Sequence, residues 1–303
     1  MSESARPVAL NASRSGPLRR VASVVVAIIF AILCAPLETT KAASEQYSVV
    51  VRVDAKSAGL TSSEVVLRIR NVSVPATAVE ASPEIRRNIA IVMDAGSDQA
   101  NVLSKEKELA VALINELSDG GTSFTIASAS TSSKTQPTTL DRSVAIEQIR
   151  DITGDRGEKA NVAIHDAIGS AIRQISFNSG LRVVIFIGEG NDGGSRLRYA
   201  ELHSLAESNH IAFFSALVAD HSLRGVKSIL RYGWNLQELT SDTAGVFLEN
   251  PKIPKATRRL SDGVRGLRLI RFEMPSLPSG RYKISVLAPR GKGLRAQTCI
   301  VIP

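Results

Sequence analysis

Between about residues 88 and 250 the sequence alternates short apolar runs with segments whose apolar residues recur at helical spacing. The apolar runs cover residues 89–93, 124–129, 181–187 and 211–218. Such runs are typical of parallel strands that are covered on both faces. Strands that alternate with helices form βαβ units. The pattern therefore predicts an α/β domain with a doubly wound, mostly parallel sheet.

The segments around these runs predict four helices, each with one apolar face. They are marked by Leu109, Leu113 and Leu117; by Ile164, Ile168, Ala171, Ile172 and Ile175; by Tyr199, Leu202 and Ala206; and by Leu236 and Leu239. Ligands on sheets of this class bind beyond the carboxyl ends of the strands. A functional site is therefore expected in the loops after Met93, after Ile187 and before Val162.

Outside this region apolar and polar residues alternate, which is typical of half-buried strands. The alternating residues are Val49, Val51 and Val53; Val65, Leu67 and Ile69; Ile270, Phe272 and Met274; Tyr282, Ile284 and Val286; and the run 299–302. Two N-terminal strands are too few to be stable alone. They are therefore expected to pair with the C-terminal strands as one small accessory β unit.

Prolines mark the joins between these regions. Pro75 and Pro83 predict a linker before the α/β domain, and a segment from Pro251 to Pro254 follows that domain. The predicted organisation is an N-terminal segment at 1–42, N-terminal strands at 43–85, the α/β domain at 86–250 and C-terminal strands at 251–303.

Residues 1–42 have the pattern of a secretory signal. A basic stretch ends at Arg19-Arg20, an apolar run covers 21–35, and small residues near Ala42 suit cleavage. The run of about 15 residues is shorter than the roughly 20 that span a bilayer, which favours export over an uncleaved membrane anchor. If the signal is cut, Cys299 is the one cysteine left, and its alternating run predicts a small buried strand residue.

The net charge is +8, and it falls to +5 without the five basic and two acidic residues of 1–42. The remaining charge is spread along the chain. A basic stripe with interleaved aromatic residues, the pattern of a nucleic-acid interface, is not present in the sequence. Composition therefore predicts no nucleic-acid partner.

The loop after the first apolar run is Asp94-Ala95-Gly96-Ser97-Asp98. It resembles the start of the metal-ion-dependent adhesion site of the von Willebrand factor type A domain, whose pattern is Asp-x-Ser-x-Ser. Residues 161–168 resemble the segment that supplies a Thr to that site, and 183–190 resemble its strand ending in Thr-Asp-Gly. The flanks at 59–64 and 279–286 are similar to the β segments of secreted bacterial von Willebrand factor A-related proteins of the acidobacterial type.

The resemblance implies a degenerate adhesion site. In the family, hydroxyls and a carboxylate hold Mg²⁺ or Mn²⁺ and leave one position for a carboxylate of the protein partner. Asp94 keeps the first position, Gly96 and Asp98 replace the two Ser, Val162 replaces the Thr, and Glu189 replaces the later Asp. Gly96 and Val162 have no side-chain oxygen.

Two interpretations of the acidic residues stay open. Asp94, Asp98 and Glu189, with Asp192, would gather four carboxylates that hold a divalent cation of the Ca²⁺ type, which tolerates irregular geometry. Otherwise Asp94 caps or hydrogen-bonds the neighbouring loop while Asp98 and Asp192 are solvated.

An enzyme is the main alternative to a binding module. Residues 188–193 fit the pattern G-x-G-x-x-G after a strand, and Asp220 ends the next strand, which suggests an NAD-type dinucleotide site. Glu189 and Asp192 would oppose a pyrophosphate there. A G-x-S-x-G nucleophile motif and metal-ligand histidine spacing are absent from the sequence.

The sequence therefore predicts an exported, non-enzymatic protein-binding module whose partner meets the loops around Asp94, Val162 and Glu189. The alternatives are a nucleotide-dependent enzyme on the same sheet, and a structural envelope protein that makes its contacts through the accessory strands.

Overall fold

The structure, a computed structural model, describes residues 46–53, 59–96, 100–154, 161–218, 227–274, 277–288 and 294–302. The predicted signal at 1–42, with its apolar run at 21–35, lies outside these residues, as do Asp98 and Asp220. Within them, no helix is long and apolar enough to cross a membrane.

A six-stranded sheet forms the centre of the α/β part, with the strand order β6-β5-β4-β7-β8-β9. Its strands are β4 (Arg87–Asp94), β5 (Thr122–Ala129), β6 (Lys134–Thr135), β7 (Leu181–Gly188), β8 (Ile211–Leu217) and β9 (Phe247–Glu249). All neighbouring pairs are parallel except β5 with β6. The four predicted apolar runs form the four inner strands of this sheet.

Helices cover both faces of this sheet. Within the described residues they are α1 (Ala100–Leu117), α2 (Arg142–Arg150), α3 (Ile164–Ser176), α4 (Tyr199–Ser208), α5 (Lys227–Asp242) and α6 (Ile253–Arg265). One buried cluster contains residues of α1, α2 and α6 on one face, and a second contains residues of α3, α4 and α5 on the other. The α/β architecture predicted from the apolar runs is confirmed.

The second sheet has seven strands in the order β12-β1-β10-β3-β2-β11-β13. Its strands are β1 (Gln46–Val53), β2 (Val66–Ile69), β3 (Val72–Ala81), β10 (Leu267–Glu273), β11 (Gly280–Leu287), β12 (Leu294–Ala296) and β13 (Cys299–Ile302). Every pair is antiparallel, and strands from both ends of the chain interleave. The expectation that both ends share one β unit is met, but with seven strands this unit is not small.

Several elements differ from the sequence prediction. The predicted linker at Pro75 is wrong, because Pro75 lies inside β3. The strand pairs with β2 up to Pro75 and with β10 from Ala76 onward, so the proline lies where the strand changes partner. The helices α2 and α6 were missed, as were the strands β3, β6, β9 and β12. Of these, α6 lies in the segment assigned to C-terminal strands. Cys299 does begin a strand, but it is half-buried and free.

A buried charge network joins the second sheet to α4. Glu207 of α4 is fully buried, and its Oε1 accepts a hydrogen bond from Nη2 of Arg281 on β11 at 2.7 Å. Nδ1 of His203 lies 3.6 Å from the same oxygen. Burial alone would raise the pKa of Glu207, but the hydrogen bonds from His203 and Arg281 hold that pKa below its usual range. The carboxylate is therefore ionised within the protein, and Arg281 is a main source of its stabilisation.

Candidate functional site

The candidate site lies at the carboxyl ends of β4 and β7, which are neighbours in the sheet. Asp94 is the last residue of β4 and Gly188 is the last residue of β7. A Cβ on Gly188 would lie 2.2 Å from the Cβ of Asp94, so only glycine fits beside this carboxylate. The sequence thus places Asp94 at the sheet edge where α/β proteins bind ligands.

Asp94 is buried, and its Oδ1 accepts a hydrogen bond from the backbone N–H of Gly96 at 3.1 Å. Burial raises its pKa from 3.8 to about 6. The backbone hydrogen bonds from Gly96, Glu189 and Gly190 oppose this shift, and the charge of Glu189 adds to it. Asp94 thus hydrogen-bonds Gly96 in the loop that it begins and also the backbone of Glu189 and Gly190 in the neighbouring loop, as the alternative interpretation expects. Glu189, at the start of the loop after β7, is close enough to interact with Asp94 electrostatically.

Gly96 and Val162 pack against each other. Val162 is buried in the cluster that contains Ala90 and Val92 of β4. A Cβ on Gly96 would lie 2.1 Å from Cγ2 of Val162. The two positions that lack the oxygens of the type A family are therefore one close apolar contact, in which the valine methyl groups occupy the space of the missing serine side chain.

Asp192 is part of neither predicted arrangement. Its Oδ1 accepts hydrogen bonds from the backbone N–H groups of Ile164 at 2.8 Å and His165 at 3.3 Å. It therefore caps the N-terminus of α3. The expectations that Asp192 joins a four-carboxylate site or is solvated are both wrong. Capping ties the loop after β7 to the helix that follows Val162.

Asp166 ties the same loop from the other side. Its carboxylate accepts hydrogen bonds from the backbone N–H groups of Arg196 at 3.1 Å and Leu197 at 2.8 Å. Together with the cap by Asp192, these bonds hold residues 192–197 against the start of α3. The loop that follows β7 is thereby fixed by hydrogen bonds to side chains rather than by a regular element of its own.

Glu106 is a further acidic residue of this region, and it is not among the residues that the sequence pattern singled out. It lies on α1 and is fully buried, and among the described residues neither of its carboxylate oxygens has a hydrogen-bond partner. Burial raises its pKa well above the usual range, and the charges of Asp94 and Glu189 raise it further. Its position three residues after Leu103 and three before Leu109 places it on the apolar face of the helix. A charged residue among the apolar residues of this helix face is the sequence signal that indicates a buried carboxylate.

The described side chains do not fit the octahedral cation of the type A family. Within the described ranges, no group of three or more Asp, Glu, His or Cys residues is arranged to hold a metal ion. The methyl groups of Val162 fill the space beside Gly96, where the family places a hydroxyl ligand. Hard divalent cations require nearly complete oxygen coordination, which an apolar contact cannot supply.

The glycines after β7 do not form a phosphate cradle. The backbone N–H groups of Gly193 and Gly194 donate to the carbonyl of Val162 at 3.1 and 2.9 Å. The following helix, α4, begins only at Tyr199. A dinucleotide site requires free N–H groups at a helix that begins within the glycine motif. The geometry therefore counts against the nucleotide interpretation.

We expect Gly96→Ser to lower the free energy of unfolding by about 1–3 kcal/mol, because the new side chain overpacks against Val162. Val162→Ala in the same chain removes the clashing methyl group and should recover part of the loss. Urea unfolding measures both effects. Gly120→Ser is the matched control, since a Cβ there meets no atom within 4 Å. Equal stability of Gly96→Ser and the wild type would contradict the packed contact.

Comparisons with known proteins give structural likeness only. No protein-family model matches the sequence, and no curated protein matches it. Among solved structures, BatB from Bacteroides thetaiotaomicron is 20% identical over 59% of this chain and 97% of its own, with a TM-score of 0.48. A von Willebrand factor type A protein from Catenulispora acidiphila is 11% identical over 84% of this chain and 75% of its own, with a TM-score of 0.49.

An aerotolerance-related membrane protein from Bacteroides fragilis is 17% identical over 58% of this chain and 98% of its own, with a TM-score of 0.46. These identities are all below 25% and the TM-scores all below 0.5. The likeness therefore carries no argument about this chain.

Proposed function

We propose that this chain is an exported, non-enzymatic protein-binding module of the von Willebrand factor A type, whose strand-end loops contact a protein partner directly. The packed contact between Gly96 and Val162 carries the proposal. It fills the place at which the type A family binds its cation, so recognition has to use the side chains and backbone of the loops themselves.

The surface around the candidate site, at the carboxyl ends of β4 and β7, suits direct recognition of a partner. Ser132, Asn161 and Gly193 are exposed in the three loops that meet at this edge of the six-stranded sheet. The bonds of Asp192 and Asp166 hold the loop after β7 against α3. Polar groups on loops that are fixed by a rigid scaffold are the usual form of a protein-binding surface.

The export part of the proposal rests on residues 1–42, whose basic stretch and apolar run are typical of a secretory signal. Fractionation of cells that make the full chain tests it. We expect the protein outside the cytoplasm with an N-terminus near Ala43, or in the membrane fraction if the signal is not cut. Recovery of the full-length chain from the cytoplasm alone would contradict export.

Site-directed photocrosslinking tests the partner surface. We introduce a photoreactive amino acid at Ser132 or at Asn161. Both positions are expected to crosslink to one and the same partner protein in intact cells, with and without EDTA. Ser179, which is exposed before β7 at the opposite edge of the sheet, is the matched control. Equal adducts from Ser132 and Ser179 would contradict the proposal. An adduct only from Lys283, exposed on β11, would favour a structural protein that uses the second sheet.

A further inference from the structure

A cavity of about 450 Å³ lies between β9 and the first two turns of α6. The edge strand β9 and the loop after it form one wall, and Lys252, Lys255 and Arg259 form the other. Because β9 is parallel to β8, its end at Glu249 lies at the same carboxyl edge of the sheet as Asp94. This cavity is separate from the crevice at β4 and β7, since β8 lies between β7 and β9.

The cavity has a positive wall. Lys252, Lys255 and Arg259 follow the spacing of one helix face, and Glu249 is the acidic residue that lines the cavity with them. The lining side chains therefore carry a net charge of two positive units, from three basic groups and one acidic group.

These three cations differ from Arg258 and Arg265 of α6, which form ion pairs. Arg258 lies 3.8 Å from Asp262, and Arg265 lies 2.7 Å from Glu116. In the part of the chain that the structure describes, Lys252, Lys255 and Arg259 form no ion pair. The positive charge on this face of α6 is therefore not balanced within the described fold.

We propose that this cavity binds the dianionic phosphate group of a small molecule. Two negative charges match the net charge of the lining, whereas a single carboxylate would leave one positive charge unbalanced. A guanidinium donates two parallel hydrogen bonds to an oxyanion, and the lysines contribute point charges. A cavity of about 450 Å³ lies within the size range of ligand pockets and has room for the organic part of a phosphate ester.

Titration calorimetry at low ionic strength tests the site with two probes, inorganic phosphate and glycerol phosphate, the soluble headgroup of a phospholipid. We expect saturable binding to the purified wild-type chain. The variant Lys252→Gln, Lys255→Gln, Arg259→Gln should bind about tenfold more weakly or worse, because it loses the charge-assisted hydrogen bonds. Arg258→Gln is the matched control on the same helix and should bind as the wild type does.

The two probes identify the source of the phosphate. Tighter binding of glycerol phosphate indicates an ester or a lipid headgroup, and equal binding indicates free phosphate; either supports the site if the triple variant loses it. If the triple variant does not fold, Lys255→Gln takes its place and is expected to weaken phosphate binding by a smaller factor. The proposal is overturned if neither probe binds saturably. It is also overturned if the triple variant, or Lys255→Gln in its place, binds phosphate as tightly as the control Arg258→Gln.

Discussion

Replacement of Arg281 by Met is expected to lower the free energy of unfolding by about 3 kcal/mol, because it leaves the buried carboxylate of Glu207 without its guanidinium partner. Arg281 is about half exposed and loses little hydration when it binds, whereas the Glu207 side chain is fully buried. The cost therefore falls on the carboxylate that stays in the protein interior. Equilibrium urea unfolding at pH 7 measures the loss.

Two further variants make the result specific. Arg271→Met removes the partner of Glu80 in a half-buried pair on the second sheet, with 2.5 Å between Nε and Oε1, and should cost less than about 1 kcal/mol. Glu207→Gln together with Arg281→Met removes the stranded charge and should be more stable than Arg281→Met alone. A loss no greater for Arg281→Met than for Arg271→Met would contradict the role given to Glu207.

Replacement of Asp94 by Asn is expected to raise the free energy of unfolding by about 3 kcal/mol at pH 8. The pKa of Asp94 is raised from 3.8 to about 6 in the folded protein, and a shift of about two units corresponds to about 3 kcal/mol. The asparagine keeps an oxygen that can accept the hydrogen bond from Gly96. The protein would thus be stabilised by loss of the residue that defines the adhesion site in the type A family.

The pH dependence fixes the sign of this effect. Between about pH 4 and about pH 6 the folded protein holds the proton of Asp94 that the unfolded chain has released, so the wild type loses stability as pH rises through that window. Asp94→Asn removes this loss, and the two proteins should be about equally stable near pH 4. Urea unfolding at pH 4 and pH 8 measures the difference.

Asp192→Ala is the control for this experiment, because that carboxylate caps α3 and its removal should cost about 1 kcal/mol. The two acidic residues of the same region are therefore expected to give effects of opposite sign. A lower stability of Asp94→Asn at pH 8 would mean that the hydrogen bonds to the ionised carboxylate outweigh the cost of its burial, and would contradict the raised pKa.

Most strands, and four of the six described helices, were predictable from periodicity alone. The inner strands of the six-stranded sheet are buried on both faces, so they consist mainly of apolar residues. These apolar runs reveal the positions of the strands in the sequence. Two elements were hidden by prolines. Pro75 lies in a strand at the point where its partner changes, and Pro254 lies in the first turn of α6, where a proline is tolerated.

The site was predictable in position but not in packing. Asp94 and Glu189 lie where the order of strands and loops predicted, because carboxyl ends of neighbouring parallel strands meet. The contact of Gly96 with Val162 and the cap from Asp192 to Ile164 join residues far apart in sequence, and their geometry depends on the folded loops. In the sequence, Gly96 and Val162 are two separate positions without a ligand oxygen. In the folded protein the two residues pack against each other in a single apolar contact.

The central claim is that Val162 and Gly96 pack together and that the described residues leave no cation site beside Asp94. Thermal unfolding of the purified protein in EDTA, and then in Mg²⁺, Mn²⁺, Ca²⁺ or NAD, tests this claim most directly. A ligand that binds only the native state raises the midpoint as its concentration increases. With Val162 packed against Gly96, we predict the same midpoint in EDTA and with each addition. A concentration-dependent rise with one divalent ion, lost in Asp94→Asn, would show that the crevice holds a cation and would contradict the account.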